Sequence, residues 1–363
     1  MAENTTAPTQ ASTNSGQNVS EAAKAPPLTL LASSPHIASP VTARPLMLNV
    51  IIALMPATVF GILQYGFHSL FNILVSIIAA MAGETLFRKI IKRESRIGDC
   101  SAIITGLLLA LILPPDTPLW INALGAVFAI VVAKEFFGGL GANVFNPALI
   151  GRAFLLMSFP ATITTFRDPR GLNAILNTPM PDAISSVTPL DIIKLGGTIG
   201  DVGQQFVATG LSESADYWSI IRTLFIGNRG GSMGEASIAL ILVGAAYLLI
   251  TKTIDWRTPV AMVCTALVAA FAFGLDPLFA IFSGGLLFGA VFMATDYVST
   301  PVTSTGKILF GIGAGFISIL VRKFGNYPEG VTYGILFMNV LTPFYNRLLQ
   351  KKYGFVPKTK GRA

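Results

Sequence analysis

Long runs without a single charged residue constrain this chain more than any other feature. Residues 46 to 66, LMLNVIIALMPATVFGILQYG, hold no charge, and residues 236 to 251, 258 to 275 and 277 to 295 read the same way. A bilayer core about 30 Å thick needs roughly 20 apolar residues per helix, so each run is close to the length of a membrane span. A soluble fold of 363 residues would need more surface charge than 12% Asp, Glu, Lys and Arg supply beside 52% hydrophobic residues. The runs recur along the sequence, so the expectation is an all-α polytopic membrane protein and not a soluble domain on one anchor.

Ten candidate spans begin near Leu46, Ser69, Ser101, Pro118, Pro147, Glu235, Thr258, Pro277, Thr303 and Gly330. They divide the chain into a disordered N-terminal tail (1–43), a first five-helix repeat (44–160), a long loop (161–234), a second five-helix repeat (235–350) and a basic C-terminal tail (351–363). Residues 1 to 40 are rich in Ala, Ser, Thr, Asn and Pro, and their LTLLA stretch is too short for the apolar region of a signal peptide.

Lys and Arg favour cytoplasmic loops, which orients the spans. Arg88, Lys89, Lys92, Arg93 and Arg96 follow the second span, Lys252 and Arg257 follow the sixth, and Arg347, Lys351, Lys352, Lys358, Lys360 and Arg362 follow the tenth. The short loops near His68, Asp116 and Asp276 carry neither Lys nor Arg, and only Arg322 and Lys323 break the pattern. Both termini are therefore expected in the cytoplasm and the loop 161–234 outside it. Two five-span halves joined in series run in opposite directions, which makes a 5+5 inverted repeat. Gly106 to Leu113 followed by Asp116, Thr117 and Pro118 matches Gly285 to Phe292 followed by Asp296, Thr300 and Pro301. Chance similarity of apolar runs is the alternative. In inverted repeats the helices near the pseudo-two-fold axis are often broken and line ligand or ion sites.

Charged side chains at membrane depth are costly and default to functional candidates, which singles out Glu84, Lys134, Glu135, Arg152 and Asp296. Glu84 and Lys134 lie close enough to span ends to snorkel towards water. Asp116 and Asp296, related by the repeat, are expected near opposite faces and are the ion-coupling candidates. The stretch GGLGANVFNPALIGR, 138 to 152, places three glycines, Gly138, Gly139 and Gly141, ahead of Asn146 as helix N-cap and Pro147 at the first helical position. Its amide-lined end would suit an anionic or carbonyl-bearing ligand, with Arg152 as a partner; tight helix packing explains the glycines as well. Thr188, Pro189 and Asp191 read as an N-cap, a first-turn proline and an acid at the third helical position. A phosphate ester on the Thr188 hydroxyl is compatible with that reading and requires the hydroxyl to be exposed on a loop. With only Cys100, Cys264, His36 and His68, the chain cannot hold a four-cysteine iron-sulfur cluster or a bis-histidine haem. No metal site and no nucleic-acid partner are expected.

GDCSAIITGLLLALILPP (98–115), GANVFNPALIGRAF (141–154), FMATDYVSTPVTSTGK (292–307) and GNYPEGVTYGILFMN (325–339) resemble the NqrB/RnfD family. That family joins RnfD, a membrane component of the Rnf complex, to NqrB of the sodium-translocating NADH:quinone reductase. The resemblance implies a fold similar to urea transporters. It also implies FMN esterified to a threonine in a motif Asp-x-x-Ser/Thr-Gly-Ala-Thr, whose fixed positions here are Asp182, Ser185 and Thr188, with Ser186 and Val187 in place of Gly and Ala. It further implies riboflavin as a second flavin nearer the cytoplasmic side, whose lining residues it leaves open; Asn146 and Arg152, read from the broken helix itself, are candidate flavin-site residues. The implied activity is electron transfer from ferredoxin to NAD⁺ coupled to Na⁺ or H⁺ movement across the cytoplasmic membrane of a bacterium or archaeon. The implied partners are the lipid bilayer and the other Rnf subunits, RnfA, RnfB, RnfC, RnfE and RnfG, with RnfG passing electrons to Thr188-bound FMN on the extracytoplasmic side. The quinone-reductase component NqrB and a solute channel or transporter without redox cofactor are the alternatives.

Overall fold

The structure, a computed structural model, describes residues 42–94, 97–167, 169, 185–212, 214–227, 229–325, 327 and 329–348. It opens with helices α1 (Ala43–Tyr65), α2 (Phe67–Ile90), α3 (Ser101–Ile112), α4 (Leu119–Ile130) and α5 (Pro147–Ser158). A central segment carries α6 (Pro189–Lys194), α7 (Ile199–Ala208) and α8 (Tyr217–Ile226). Then follow α9 (Ile238–Ile250), α10 (Arg257–Ala272), α11 (Pro277–Phe282), α12 (Ser304–Phe324) and α13 (Val331–Leu348). A helix starts within three residues of every position at which the sequence suggests a span. The one departure from all-helical structure among the described residues is a two-residue antiparallel ladder, β1 (Phe166–Arg167) with β2 (Ser185–Ser186), which leads into α6.

Among the described residues α1, α2 and α12 are long and apolar enough to cross a membrane. Their outward faces are apolar as well as their inward ones. Leu48, Ile52, Met55, Val59 and Leu63 form an exposed stripe on α1, and Phe67, Phe71, Leu74 and Ile78 continue one on α2. A helix that is hydrophobic all round requires an apolar environment on every side, which marks an integral membrane protein. The expectation of uniform full-length spans gives way in the interior. α3, α4 and α5 have 12 residues each and α11 only 6, whereas spanning the hydrocarbon takes about 20. A short element is tolerated where it is enclosed by protein and its freed backbone groups find partners. α3 is the clearest case: 11 of its 12 residues are buried. A Cβ on Gly106 would stand 2.8 Å from Ile77 Cα, so the glycine sets the α2 to α3 approach, and Ser76 Oγ donates to the Gly106 carbonyl at 2.7 Å.

The central segment is a small helical layer with its own core of Val202, Phe206, Ile220, Ile221 and Leu224, closed by Phe279 from α11. That shared phenylalanine seats the layer on the second helical group. α4 ends in a π-helical turn, Val131–Glu135, which turns both Lys134 and Glu135 inward. The snorkelling expected for Glu84 and Lys134 does not occur. Lys134 is 2% exposed, and its Nζ lies 3.2 Å from Glu84 Oε1 and donates to Ser101 Oγ at 2.6 Å. Arg88 bridges Glu84 at 3.6 Å and Glu135 at 3.1 Å. Two acids and two bases thus neutralise one another where α2, α3 and α4 meet. The extra residue of the π turn, not proximity to water, decides where Lys134 points.

Removing one partner of this network leaves a buried charge uncompensated, which costs roughly 3–5 kcal/mol. Lys134→Met is therefore expected to lower the detergent unfolding midpoint sharply, and the double variant Lys134→Met/Glu84→Gln to recover most of the loss. Equal midpoints for wild type and Lys134→Met would contradict the network's structural role.

Candidate functional site around Thr188

Sequence places Thr188 at the N-cap of α6, and the structure completes the arrangement as a capping box. The Asp191 N–H donates to Thr188 Oγ1 at 3.2 Å, and the Thr188 N–H donates back to Asp191 Oδ2 at 3.3 Å. The Thr188 hydroxyl itself donates to Asp191 Oδ2 at 2.5 Å. Contrary to the expectation of an exposed hydroxyl, Thr188 is only 7% exposed, while the preceding Val187 is 45% exposed. The chain touches the surface at Val187 and turns Thr188 inward because the capping box draws its side chain back over the first turn of α6.

Thr188 faces a cavity of about 30 Å³ lined also by Arg152, Leu156, Ile163, Phe166, Tyr327, Glu329 and Tyr333. Arg152, from α5, forms an ion pair with Glu329 in the turn before α13. Tyr327 and Tyr333 stack with ring centroids 6.0 Å apart and planes 25° from parallel. Burial raises the Asp191 carboxyl above the ordinary aspartate range, opposed by its hydrogen bonds from Thr188 and reinforced by the nearby Glu329 charge. Beneath α6 the floor is the break after α11. Gly284, at φ +70°, leaves room for Leu190, whose Cδ1 would lie 2.6 Å from an added Cβ. Lys194 locks the other end of α6, donating to the Arg322 carbonyl at 2.7 Å and to the Gly325 carbonyl.

The sequence candidates separate into two groups. Arg152 and Thr188, which no local pattern pairs, share one cavity. Asn146 and Arg152, which the sequence suggests as one anion site, do not. Asn146 caps α5 by accepting from the Ala148 and Leu149 amides at 3.1 and 3.4 Å, and donates to the Met293 carbonyl at 3.4 Å. It opens on cavities of about 50 Å³ shared with Asp296, an acid. Six helical residues, roughly 9 Å of rise, carry Arg152 away from it. The glycine-rich stretch before α5 is irregular as read, with Gly138, Gly139 and Gly141 all at positive φ. Asp296 accepts from Ser299 Oγ at 2.8 Å. Asp116 is half-buried in the α3 to α4 connection, remote in sequence and lining neither cavity. Asp182 lies outside the described residues, and Ser185 is described through its backbone pairing with Arg167 in the ladder.

Sequence reasoning missed Arg229, Glu235, Arg322 and Glu329. Arg229, 2% exposed, donates to the carbonyls of Phe282, Glu235 and Gly284, and Arg322 donates to that of Ala280. Together they supply donors to three carbonyls where α11 breaks, those of Ala280, Phe282 and Gly284. One signal existed for Arg322, since with Lys323 it is the exception to the charge pattern of the loops; its target could not be read from local sequence.

Because Gly284 allows α6 to approach, Gly284→Val is expected to lift α6 and expose Lys194. Limited trypsinolysis should cut after Lys194 faster in this variant than in wild type, and unchanged protection would contradict the packing.

Similarity to known proteins extends over nearly the whole chain. A model of the NQR2, RnfD, RnfE family matches residues 30–354. The chain is 41% identical over 332 residues, 89% of its length and 96% of the relative's, to the D subunit of the proton-translocating ferredoxin:NAD(+) oxidoreductase complex of Clostridium ljungdahlii. It is 38% identical over 335 residues, 92% and 97% of the two chains, to the D subunit of the Na(+)-translocating ferredoxin:NAD(+) oxidoreductase complex of Acetobacterium woodii. With the D subunit of the ion-translocating oxidoreductase complex of Stutzerimonas stutzeri it shares 36% identity over 331 residues, 85% and 91% of the chains. An integral membrane chain with this fold, and with these relatives along its full helical region, belongs to the NQR2, RnfD, RnfE family and is similar throughout to its RnfD members.

Proposed function

We propose that this chain is the membrane electron-carrier subunit of an ion-translocating ferredoxin:NAD⁺ oxidoreductase complex, with FMN esterified through its phosphate to Thr188. The observation that carries the reading is the setting of the Thr188 hydroxyl, which opens on a cavity beside the Arg152 guanidinium and two stacked tyrosine rings. The groups present suit the phosphate end of such a flavin. The cavity, about 30 Å³, adjoins the hydroxyl, and Arg152 on its wall would hold phosphate oxygens by charge-assisted hydrogen bonds. Leu156, Ile163 and Phe166 exclude water from the ester, and Thr188 keeps the group from diffusing away. When bound, a flavin supplies electron transfer in steps of one or two. The cavities lined by Asn146 and Asp296, about 50 Å³ each, are too small for a flavin ring, so no residue is assigned to the riboflavin that the family implies.

The reading includes ten spans in a 5+5 inverted repeat. Parallel packing in the two halves supports it: α2 lies against α3 and α4 as α10 lies against α11 and α12, α4 against α5 as α12 against α13, and α1 packs on α9, its counterpart. With both termini in the cytoplasm, Thr188, Arg152 and Arg322 belong to the outer side, and Lys134, Asn146 and Asp296 to the cytoplasmic side of a bacterial or archaeal cytoplasmic membrane. On this reading RnfG, the FMN-bearing neighbour outside, delivers electrons to Thr188, and RnfA, RnfB, RnfC and RnfE complete the assembly. Asp296 and Asp116 stay the coupling candidates. Relatives at 41% and 38% identity are named for different ions, protons and Na⁺, so overall similarity does not choose between them.

The chain purified from its own cells is expected to fluoresce under ultraviolet light on a denaturing gel and to lose that band in Thr188→Ala. A dark wild-type band would contradict covalent flavin. Affinity purification of the intact complex is expected to retain a ferredoxin-type iron-sulfur protein; a quinone-reductase partner set in its place would assign the chain to the other branch of the family.

A further inference from the structure

A separate cavity of about 290 Å³ shares no lining residue with the Thr188 cavity. Its volume is close to the roughly 300 Å³ at which ligand pockets begin. Ile193, Ile199, Leu275 and Phe279 give it apolar walls, and Lys194, Arg322 and Lys323 give it three cations. The acid on the wall, Asp276, is already engaged, accepting from the Tyr217 hydroxyl at 3.0 Å and from the Phe279 N–H at 2.7 Å. Arg322 is not satisfied. It is 6% exposed, and although Nη1 donates to the Ala280 carbonyl, Nε and Nη2 have no hydrogen-bond partner among the described residues. Glu235 and Glu329 act on it through space without forming an ion pair with it, and Glu329 is held by Arg152. A Cβ added to Gly284 would stand 3.1 Å from Arg322 Nη2 and 2.6 Å from Leu190 Cδ1, which puts the unpaired nitrogen beside a leucine of the cavity wall. A buried guanidinium with two nitrogens unmet is costly. An anion with several acceptor oxygens is the group that meets it.

We propose that this cavity binds the phosphate of an anionic phospholipid, with Arg322, Lys194 and Lys323 around the headgroup and the acyl chains along the apolar sides of α10 and α12. The proposal rests on the membrane setting and not on the flavin reading. The neighbouring helix ends open to lipid: Phe271, in the last turn of α10, Phe324, the last residue of α12, and Leu278 on α11 are all exposed. A headgroup at the ends of these helices therefore lies at the boundary between hydrocarbon and water, where basic residues meet lipid phosphates. Three cations against one engaged acid favour a headgroup of net negative charge over a zwitterionic one. A free phosphate offers the same oxygens but leaves Ile193, Ile199 and Leu275 uncovered. The same role accounts for Arg322 and Lys323 as the exception to the charge pattern of the loops, since a lipid phosphate gives their charge a partner at this end of the helices.

The test is native mass spectrometry of the full chain, delipidated in a nonionic detergent and titrated with phosphatidylglycerol, phosphatidylcholine or inorganic phosphate, reading the affinity of the first copy bound. Phosphatidylglycerol is expected to bind several-fold tighter than phosphatidylcholine. Lys323→Gln, at an exposed position, should weaken it roughly fivefold, the effect of one basic residue on an anionic lipid. Ile199→Trp fills the cavity and should abolish the tight copy, whereas Lys89→Gln, at an exposed lysine in the last turn of α2, should leave it unchanged. Equal affinity for the two lipids would overturn the proposal, as would wild-type affinity in Lys323→Gln. Tight phosphatidylglycerol binding by an Ile199→Trp protein that elutes as wild type on size exclusion would place the lipid elsewhere and overturn it too. Inorganic phosphate that displaces the lipid at equal concentration would make this a site for a free anion and overturn the lipid assignment.

Discussion

A helix broken in the interior of a membrane protein releases carbonyls that neither lipid nor water can solvate, and the organisation of this chain follows from how they are met. Arg229 takes the carbonyls of Phe282 and Gly284 and Arg322 that of Ala280, so three acceptors at the end of the six-residue α11 and just beyond it find donors. The break in turn supplies Gly284, whose missing side chain admits Leu190 and lets α6 lie on the helical body. Thr188 is held in place from beneath, by residues nearly a hundred positions later in the chain.

The second consequence is electrostatic. Arg152 and Glu329, on the wall of the Thr188 cavity, interact electrostatically with a buried set of Arg229, Arg322 and Glu235. Glu84, Arg88, Lys134 and Glu135 form a separate network between α2 and α4. Each set is close to neutral within itself, as the low dielectric of the interior demands, and the two are joined along α5, with Asn146 at one end and Arg152 further along. A shared scaffold can then carry different chemistry at its two ends, which accords with a family whose members are named for different coupling ions.

Much of this was legible in the sequence, for identifiable reasons. Helix starts were readable because apolar runs and local caps such as Asn146-Pro147 and Thr188-Pro189 are short-range signals. The resemblance in four separate segments anticipated the family. Whether an apolar run faces lipid or protein was not readable: α3 and α1 are both apolar, yet α3 is almost wholly enclosed and α1 exposes a stripe. Composition does not record what a helix touches. The inward turn of Lys134 depends on a one-residue π insertion, and the pairing of Arg152 with Glu329 joins residues 177 positions apart. For Thr188 the cap was a local signal and the candidate acceptor came through the resemblance; the short bond to Asp191 and the burial needed the fold.

That a membrane scaffold becomes an electron carrier through one threonine is tested most directly by the mass of the tryptic peptide 171–194 from the natively purified complex. The expected peptide is heavier by one FMN less one water, with fragmentation assigning the addition to Thr188. An unmodified peptide, or a flavin on Ser185 or Ser186 in its place, would contradict it.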